Sequence, residues 1–249
     1  MSDIPHINIL NTRVDLVSAD ELHSKIKSYI SNKEKVTIGN LNIHAANIAY
    51  SNPWYANYLA DCPIIFCDGK GIQLAAAILG ESIPPQITYH TWIWELASLC
   101  ERKGYNLFLL GSKKGVGDKA IEKLLLKNPK LKVQNHHGYF NKTNQENEIV
   151  IEKINSFNTD ILVVGFGMPI QERWILDNIK KINAKVYLNG GAYLDWVSGL
   201  NKQAPSWVTN LGFEWFYRLL KEPKRLFKRY VFGNPLFIFR VIRERVKGV

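Results

Sequence analysis

Asp68 is the residue whose type and position most clearly suggest chemistry. It directly follows an apolar stretch, Ile64–Cys67, that is typical of a buried strand, and Gly69 and Gly71 come just after it. A carboxylate at the end of such a strand can accept the proton of a substrate hydroxyl, while glycines leave room for a ligand. Asp-Gly is also a common turn pair, so a turn without a catalytic role fits the same residues.

The segment DILVVGFGMPIQERW, from Asp160 to Trp174, predicts a second part of a ligand site. Its first half is apolar, as in a strand buried on both faces of a parallel sheet. Gly165 and Gly167 then allow a tight bend, and Pro169 suits the first turn of a helix. Helix N-termini beyond such strands bind anions. Similar glycine junctions occur in FLLGSKKGVGDKA and NGGAYLDW, although each could serve tight packing alone.

Positive charge is concentrated at the end of the chain. From Leu200 onward there are eleven Lys or Arg residues against three Glu, so this segment carries +8 of the formal net charge of +10. Arg218, Arg225 and Arg229 fall within about 40° of one another on a helical wheel, and guanidinium groups match phosphate oxygens. The pattern indicates an anionic partner, such as a diphosphate, anionic lipid or nucleic acid. A solvated basic face is the alternative.

Neither a metal nor another cofactor is predicted. The chain lacks an Asp-x-Asp pair, and its histidines do not have the spacing of metal ligands. The three cysteines, Cys62, Cys67 and Cys100, indicate reduced core residues rather than disulfides. The N-terminus does not resemble a signal peptide, and no run of 18 apolar residues occurs, so we expect a cytoplasmic protein.

Strands and helices alternate along most of the chain. This alternation predicts an α/β fold, a Rossmann-like doubly wound layer with a mainly parallel sheet. We expect residues 1–200 to form this body and residues 201–249 to form a basic helical appendage that associates with a membrane. The predicted strands are Ile7–Leu10, Val36–Asn42, Ile64–Cys67, Asn106–Gly111, Leu131–Asn135, Ile161–Phe166 and Val186–Leu188.

The last segment, PLFIFRVIRERVKGV, is amphipathic if helical. Arg240, Arg243 and Lys247 share one face, and an apolar face carries Phe237, Ile238, Val241 and Ile242. Such a helix suits the interface of an anionic membrane, but amphipathic helices also dock on their own domain. The charge of the tail favours the membrane. On that interpretation, removal of the residues after Gly233 should weaken membrane binding and spare the activity.

Several of these stretches together resemble a known family. In order they are GNLNIHA, DGKGIQLAAA, FLLGSKKGVGDKA, HHGYF, DILVVGFGMPIQERW, NGGAYLDW, GLNKQAPSW and LGFEWFYRLLKEPKRLFKRY. They look like the successive motifs of the WecG/TagA/CpsF family of bacterial glycosyltransferases. The resemblance implies an inverting, metal-independent transfer of a sugar from a nucleotide diphosphate sugar, UDP-linked in our interpretation, to a polyprenyl-diphosphate-linked saccharide. It also implies synthesis of a surface or exopolysaccharide, with the appendage helping to complete the site at the inner face of the cytoplasmic membrane.

The resemblance also assigns roles to individual residues. It makes Asp68 the general base and places arginines of the appendage, Arg218, Arg225 and Arg229, at the diphosphate. The chain departs from the family pattern where Asn40 replaces the usual Thr, and where QITYHTW, Gln86 to Trp92, replaces a segment with an Arg, a Gly and an Asp. The expected substrate-binding residues are Asn40, Asn42, Gly69, Gly71, Gly111, Gly167, Gln171, Glu172 and Gly191.

Two other classes of function remain open at this level. A nucleic-acid-binding protein would also have a basic tail with aromatic residues. The sequence contains no recognised nucleic-acid-binding motif, however, and we expect no nucleic acid partner. A non-catalytic regulator that binds a sugar nucleotide would fit the altered QITYHTW segment, although Asp68 argues against it. Formation of a homo-oligomer is a further possibility.

Overall fold

The computed structural model describes residues 4–201 and 214–247. The chain folds into a six-stranded parallel sheet with helices on both faces, which confirms the predicted Rossmann-like α/β fold. The strands are β1 (His6–Ile9), β2 (Thr12–Asp15), β3 (Val36–Leu41), β4 (Ile64–Cys67), β5 (Asn106–Gly111), β6 (Lys132–His136), β7 (Ile161–Gly165) and β8 (Val186–Asn189).

Helices alternate with these strands. Those of the body are α1 (Ala19–Ser31), α2 (Ile43–Ser51), α3 (Pro53–Ala60), α4 (Lys70–Leu79), α5 (Tyr89–Lys103), α6 (Val116–Lys127), α7 (Gln145–Ser156), α8 (Ile170–Asn178) and α9 (Tyr193–Val197). The C-terminal ones are α10 (Glu214–Lys221), α11 (Pro223–Phe227), a π-helical turn (Lys228–Phe232) and α12 (Gly233–Lys247). The junction between the body and α10, which includes most of the GLNKQAPSW motif, lies outside the described residues.

The order of the strands explains where a ligand can bind. The strand order in the sheet is β4-β3-β8-β7-β5-β6. The strand that follows β3 in the chain, β4, pairs on one side of it. The strands β7, β5 and β6 lie on the other side, beyond β8. The chain winds outward from β3 to β4 at one edge and from β5 to β6 at the other, so the direction of winding changes in the middle of the sheet. In open parallel sheets, the crevice at such a point, beyond the carboxyl ends of the strands, is where ligands bind.

One part of the fold differs from the expectation. The first strand pairs with Thr12–Asp15 as a separate antiparallel hairpin rather than joining the parallel sheet. The connection uses Leu10 and Asn11 at positive φ. The buried Asp15 carboxylate accepts the backbone N–H of Ile65 at 2.6 Å and pairs with Arg13 at 3.0 Å, which fastens the hairpin beside β4.

The final helix packs against the body, and this revises the interpretation of its apolar face. Phe237 and Val241 are fully buried in a core that they share with α2 and α4. The Arg240 guanidinium donates to Asn47 Oδ1 at 2.8 Å, and Asn47 Nδ2 donates to the carbonyl of Gly233 at 2.8 Å. Two of the four residues on the face that we assigned to a membrane therefore cover the protein's own core, while Ile242 is 47% exposed. Among the described residues, no helix is both long and apolar enough to cross a membrane.

Candidate active site

A cavity of about 590 Å³ lies beyond the carboxyl ends of four adjacent strands, β4, β3, β8 and β7. The turns that follow these strands form its floor, and residues of α5, the π-helical turn and α12 add further walls. The predicted site residues that line it are Asn40, Asn42, Asp68, Gly69, Gly71, Gly167, Gly191 and Arg229. The structure therefore brings together most of the residues that the sequence singled out.

Two amide side chains hold the Asp68 carboxylate. Asn40 Nδ2 donates to Asp68 Oδ2 at 2.8 Å, and Asn42 Nδ2 donates to the same oxygen at 3.1 Å. Asn42 Oδ1 accepts the N–H of Ala45 at 3.0 Å and so caps α2, which fixes the orientation of its amide. Neutral donors stabilise the ionised carboxylate and orient it without neutralising its charge. This is a suitable arrangement for a general base.

The backbone places Asp68 at the start of this turn. Its N–H donates to the carbonyl of Leu41 at 2.8 Å, which joins the ends of β3 and β4. Gly69 has a φ of +117°, a conformation that L side chains rarely adopt, and a Cβ on Gly71 would lie 2.3 Å from the Ile43 side chain. Asp68 thus stands in a tight turn and also lines the cavity, and its role as a base stays a prediction.

Gln171 ties together the turns after β7 and β8. Its Oε1 accepts the N–H of Gly167 at 3.1 Å and the N–H of Gly191 at 3.1 Å. Both glycines line the cavity and both have positive φ. Gln171 itself is fully buried and does not line the cavity. The structure therefore places it behind the wall, where it shapes the two turns.

Glu172 is also fully buried behind the wall. Its Oε1 accepts Gln171 Nε2 at 2.9 Å and the Tyr55 hydroxyl at 3.4 Å, while Oε2 has no hydrogen-bond partner among the described residues. Burial raises the pKa of Glu172 to about 7. The carboxyl group consequently changes its charge near neutral pH, directly beneath the Gln171 bridge. A contact of Gln171 or Glu172 with the sugar nucleotide stays a prediction.

Gly111 has a different position from the one that we expected. It does not line the cavity, and a Cβ there would lie 2.6 Å from the carbonyl oxygen of Gly165. The absence of a side chain thus allows the ends of β5 and β7 to approach each other. For Gly111 the structure supports the packing alternative rather than contact with a ligand.

Of the three arginines assigned to the diphosphate, Arg229 can be placed. It lines the cavity, and its guanidinium carbon lies 5.6 Å from the centre of the Tyr230 ring. Burial, together with the positive charge of Arg229, lowers the pKa of His44 to about 4. The side chains of Arg218 and Arg225 lie outside what the structure describes.

Several cavity residues were not predicted from the sequence. Trp196 belongs to the NGGAYLDW motif, in which only Gly191 was predicted to bind substrate. Gln86, Thr88 and His90 belong to the segment that departs from the family pattern. That departure was the signal that could have identified them. The others are Ile43, Lys70, Leu74, Tyr89, Met168, Asn189, Gly190, Ala192, Tyr193, Trp215, Tyr230, Asn234 and Ile238.

No group of three or more His, Cys, Asp or Glu side chains within residues 4–201 and 214–247 is arranged to hold a metal ion. Lys70 and Arg229 supply positive charge at the cavity. Asp68 supplies a carboxylate. These are the elements of an enzyme that moves a proton and binds an anionic substrate.

The fold and the cavity define an α/β enzyme with a carboxylate at the carboxyl edge of its sheet. The model of the Glycosyl transferase WecG/TagA/CpsF family matches residues 7–249, and the chain belongs to this family. It is therefore a glycosyltransferase, and the hypothesis of a non-catalytic binding protein is set aside.

Two relatives from Staphylococcus aureus illustrate the family. They come from strains MRSA252 and MW2, and both are named N-acetylglucosaminyldiphosphoundecaprenol N-acetyl-beta-D-mannosaminyltransferase. The chain is 27% identical to the first and 26% identical to the second. Each comparison spans 248 residues, 99% of this chain and 96% of the relative. The similarity thus extends over the whole described fold.

Proposed function

We propose that this glycosyltransferase moves a sugar, with inversion, from a UDP-linked donor to a saccharide carried on a polyprenyl diphosphate. The observation that carries the proposal is the Asp68 carboxylate, held by the amides of Asn40 and Asn42 in a cavity at the edge of the sheet. The names of the two staphylococcal relatives support a lipid-linked acceptor.

The mechanism requires one base and stabilisation of the leaving group. The acceptor hydroxyl attacks the anomeric carbon on the face opposite the diphosphate, and its proton passes to Asp68 as the new C–O bond forms. The bond between the anomeric carbon and the diphosphate oxygen breaks, and the nucleotide leaves with the electron pair. Arg229 stabilises this charge, with Arg218 and Arg225 as proposed partners.

Association with the inner face of the cytoplasmic membrane is part of the proposal, because the acceptor is a lipid. The outer face of the C-terminal segment supports it: Phe227, Phe232 and Phe239 are 52%, 62% and 62% exposed. The same segment exposes basic side chains, including Lys228 and Arg243. Exposed aromatic residues with cationic neighbours suit an anionic lipid surface.

The direct test is transfer to a short-chain lipid analogue of N-acetylglucosaminyl diphosphate, with a panel of UDP-sugars and detection by mass spectrometry. The names of the relatives make UDP-N-acetylmannosamine the first donor to try. Asp68→Asn should abolish transfer while the midpoint of thermal unfolding stays close to that of the wild type. Asp177→Asn, on the exposed side of α8, is the matched control and should retain activity. Near-normal turnover by Asp68→Asn would refute the assignment of the base.

A further inference from the structure

A short extended segment before α5 forms the cavity wall beside Asp68. The N–H of Ile87 donates to the carbonyl of Cys67 at 2.9 Å, one residue before Asp68. Side chains alternate along an extended chain, so residues 86 and 88 point away from residue 87. Ile87 is buried in the core, whereas Gln86 and Thr88 line the cavity. Two polar side chains are thereby directed at the space next to the base.

The amide oxygen of Gln86 accepts no hydrogen bond from the part of the chain that the structure describes. This oxygen, Oε1, is buried. A buried acceptor without a donor is costly, and a ligand that supplies an N–H or O–H removes this cost. Thr88 adds a hydroxyl 3.0 Å from that of Thr91. The side chains of Gln86 and Thr88 are both uncharged. The positively charged side chains at the cavity, Lys70 and Arg229, belong to other segments.

Aromatic rings continue the wall after Thr88. The rings of His90 and Trp196 lie 5.9 Å apart, and both side chains line the cavity. Tyr89 is buried against Phe66 and anchors the segment to the core. A sugar ring offers apolar C–H groups to aromatic side chains and hydroxyl or amide groups to polar ones. The wall therefore has the chemistry that recognises an uncharged sugar.

We propose that Gln86 is a specificity-determining residue for the acceptor, and that its amide oxygen accepts an N–H or O–H from the terminal sugar. The inference depends on the proposed function, because the role of Asp68 as base assigns this end of the cavity to the attacking hydroxyl. A sugar with a carboxylate at this position would bring negative charge to an unpaired oxygen.

The test measures binding in the absence of transfer. Calorimetry gives the Kd of the short-chain N-acetylglucosaminyl diphosphate lipid in the presence of UDP, which carries no sugar to transfer. Gln86→Leu should weaken this binding about tenfold and leave the Kd of UDP unchanged. Gln134→Leu, the same change on the edge strand β6 and outside the cavity, should alter neither Kd. Gln86→Glu keeps an oxygen acceptor and should bind the lipid more tightly than Gln86→Leu.

Analogues of the acceptor identify the contact. An analogue that lacks the group paired with Gln86 should bind the wild type about tenfold more weakly, with no further loss in Gln86→Leu. The inference would be overturned if Gln86→Leu bound the lipid as tightly as the wild type does, or if this variant had a weaker affinity for UDP instead. It would also be overturned if the wild type did not bind the lipid. Transfer is scored separately: a wild type that binds the lipid but transfers nothing contradicts the proposed function and leaves the assignment of Gln86 intact.

Discussion

Phe237 and Phe239 of α12 offer a direct test of how the final helix is used. They lie two positions apart and so face in nearly opposite directions on a helix. Phe237 is fully buried among residues of α2 and α4, whereas Phe239 is 62% exposed. Phe237→Ala should destabilise the protein by roughly 3–5 kcal/mol, the usual cost of such a cavity. Phe239→Ala should change the stability by less than about 0.5 kcal/mol.

The two variants should also differ in membrane binding. Phe239→Ala removes an exposed aromatic side chain and should reduce sedimentation with anionic vesicles, while Phe237→Ala should bind vesicles normally wherever it remains folded. Urea unfolding followed by circular dichroism measures the first effect, and vesicle sedimentation measures the second. If Phe237→Ala cost no more than Phe239→Ala, the docking of α12 on the body would be wrong.

The same reasoning reverses the expectation for a truncation after Gly233. The cut removes Phe237 and Val241 from the core and also removes Asn234 and Ile238 from the cavity wall. A loss of several kcal/mol is a large part of a typical total stability of about 5–15 kcal/mol. We now expect the truncated chain to lose stability and transfer together, even with a short-chain acceptor.

Three further predictions concern the cavity and its support. Burial raises the pKa of Glu172 to about 7, so the wild type loses stability as the pH rises from 4.5 through 7. The stability of Glu172→Gln relative to the wild type, measured by urea unfolding, should therefore be greater at pH 8 than at pH 5, by up to about 3 kcal/mol. An equal difference in stability at both pH values would contradict this. Asn42→Asp keeps the cap of α2 but brings negative charge to Asp68, so kcat/KM should fall about tenfold or more; unchanged kcat/KM would argue against the proposed role of Asn42. EDTA should leave transfer unchanged, and activity that is lost and then restored by Mg²⁺ or Mn²⁺ would refute metal independence.

The sequence was sufficient to predict the sheet and the position of Asp68. Strands such as Ile64–Cys67 and Ile161–Gly165 are apolar throughout, and this pattern occurs where a strand is covered on both faces. The chain has to turn after each strand, so a carboxylate at residue 68 had to reach the edge of the sheet. Local composition therefore determined both results.

Other features depend on tertiary contacts that local patterns do not contain. An apolar helix face such as that of Phe237 and Val241 gains from burial in a membrane or in a protein core, and both environments select the same residue types. Gln171 and Glu172 follow a glycine turn, where polar residues usually face a ligand, but the rotation of α8 directs them inward. The separate hairpin of β1 and β2 depends on the contact of Asp15 with Ile65, fifty residues away.

The packing of α12 has a consequence for how the enzyme is made. The apolar surface that Phe237 and Val241 cover is built from residues 7–76, near the beginning of the chain. During synthesis, this surface emerges from the ribosome long before α12 does. Until α12 packs on it, the surface is exposed to solvent or is bound by a chaperone. Asn234 and Ile238 of the same helix complete the cavity wall. A nascent chain therefore has no finished cavity until the ribosome has translated α12.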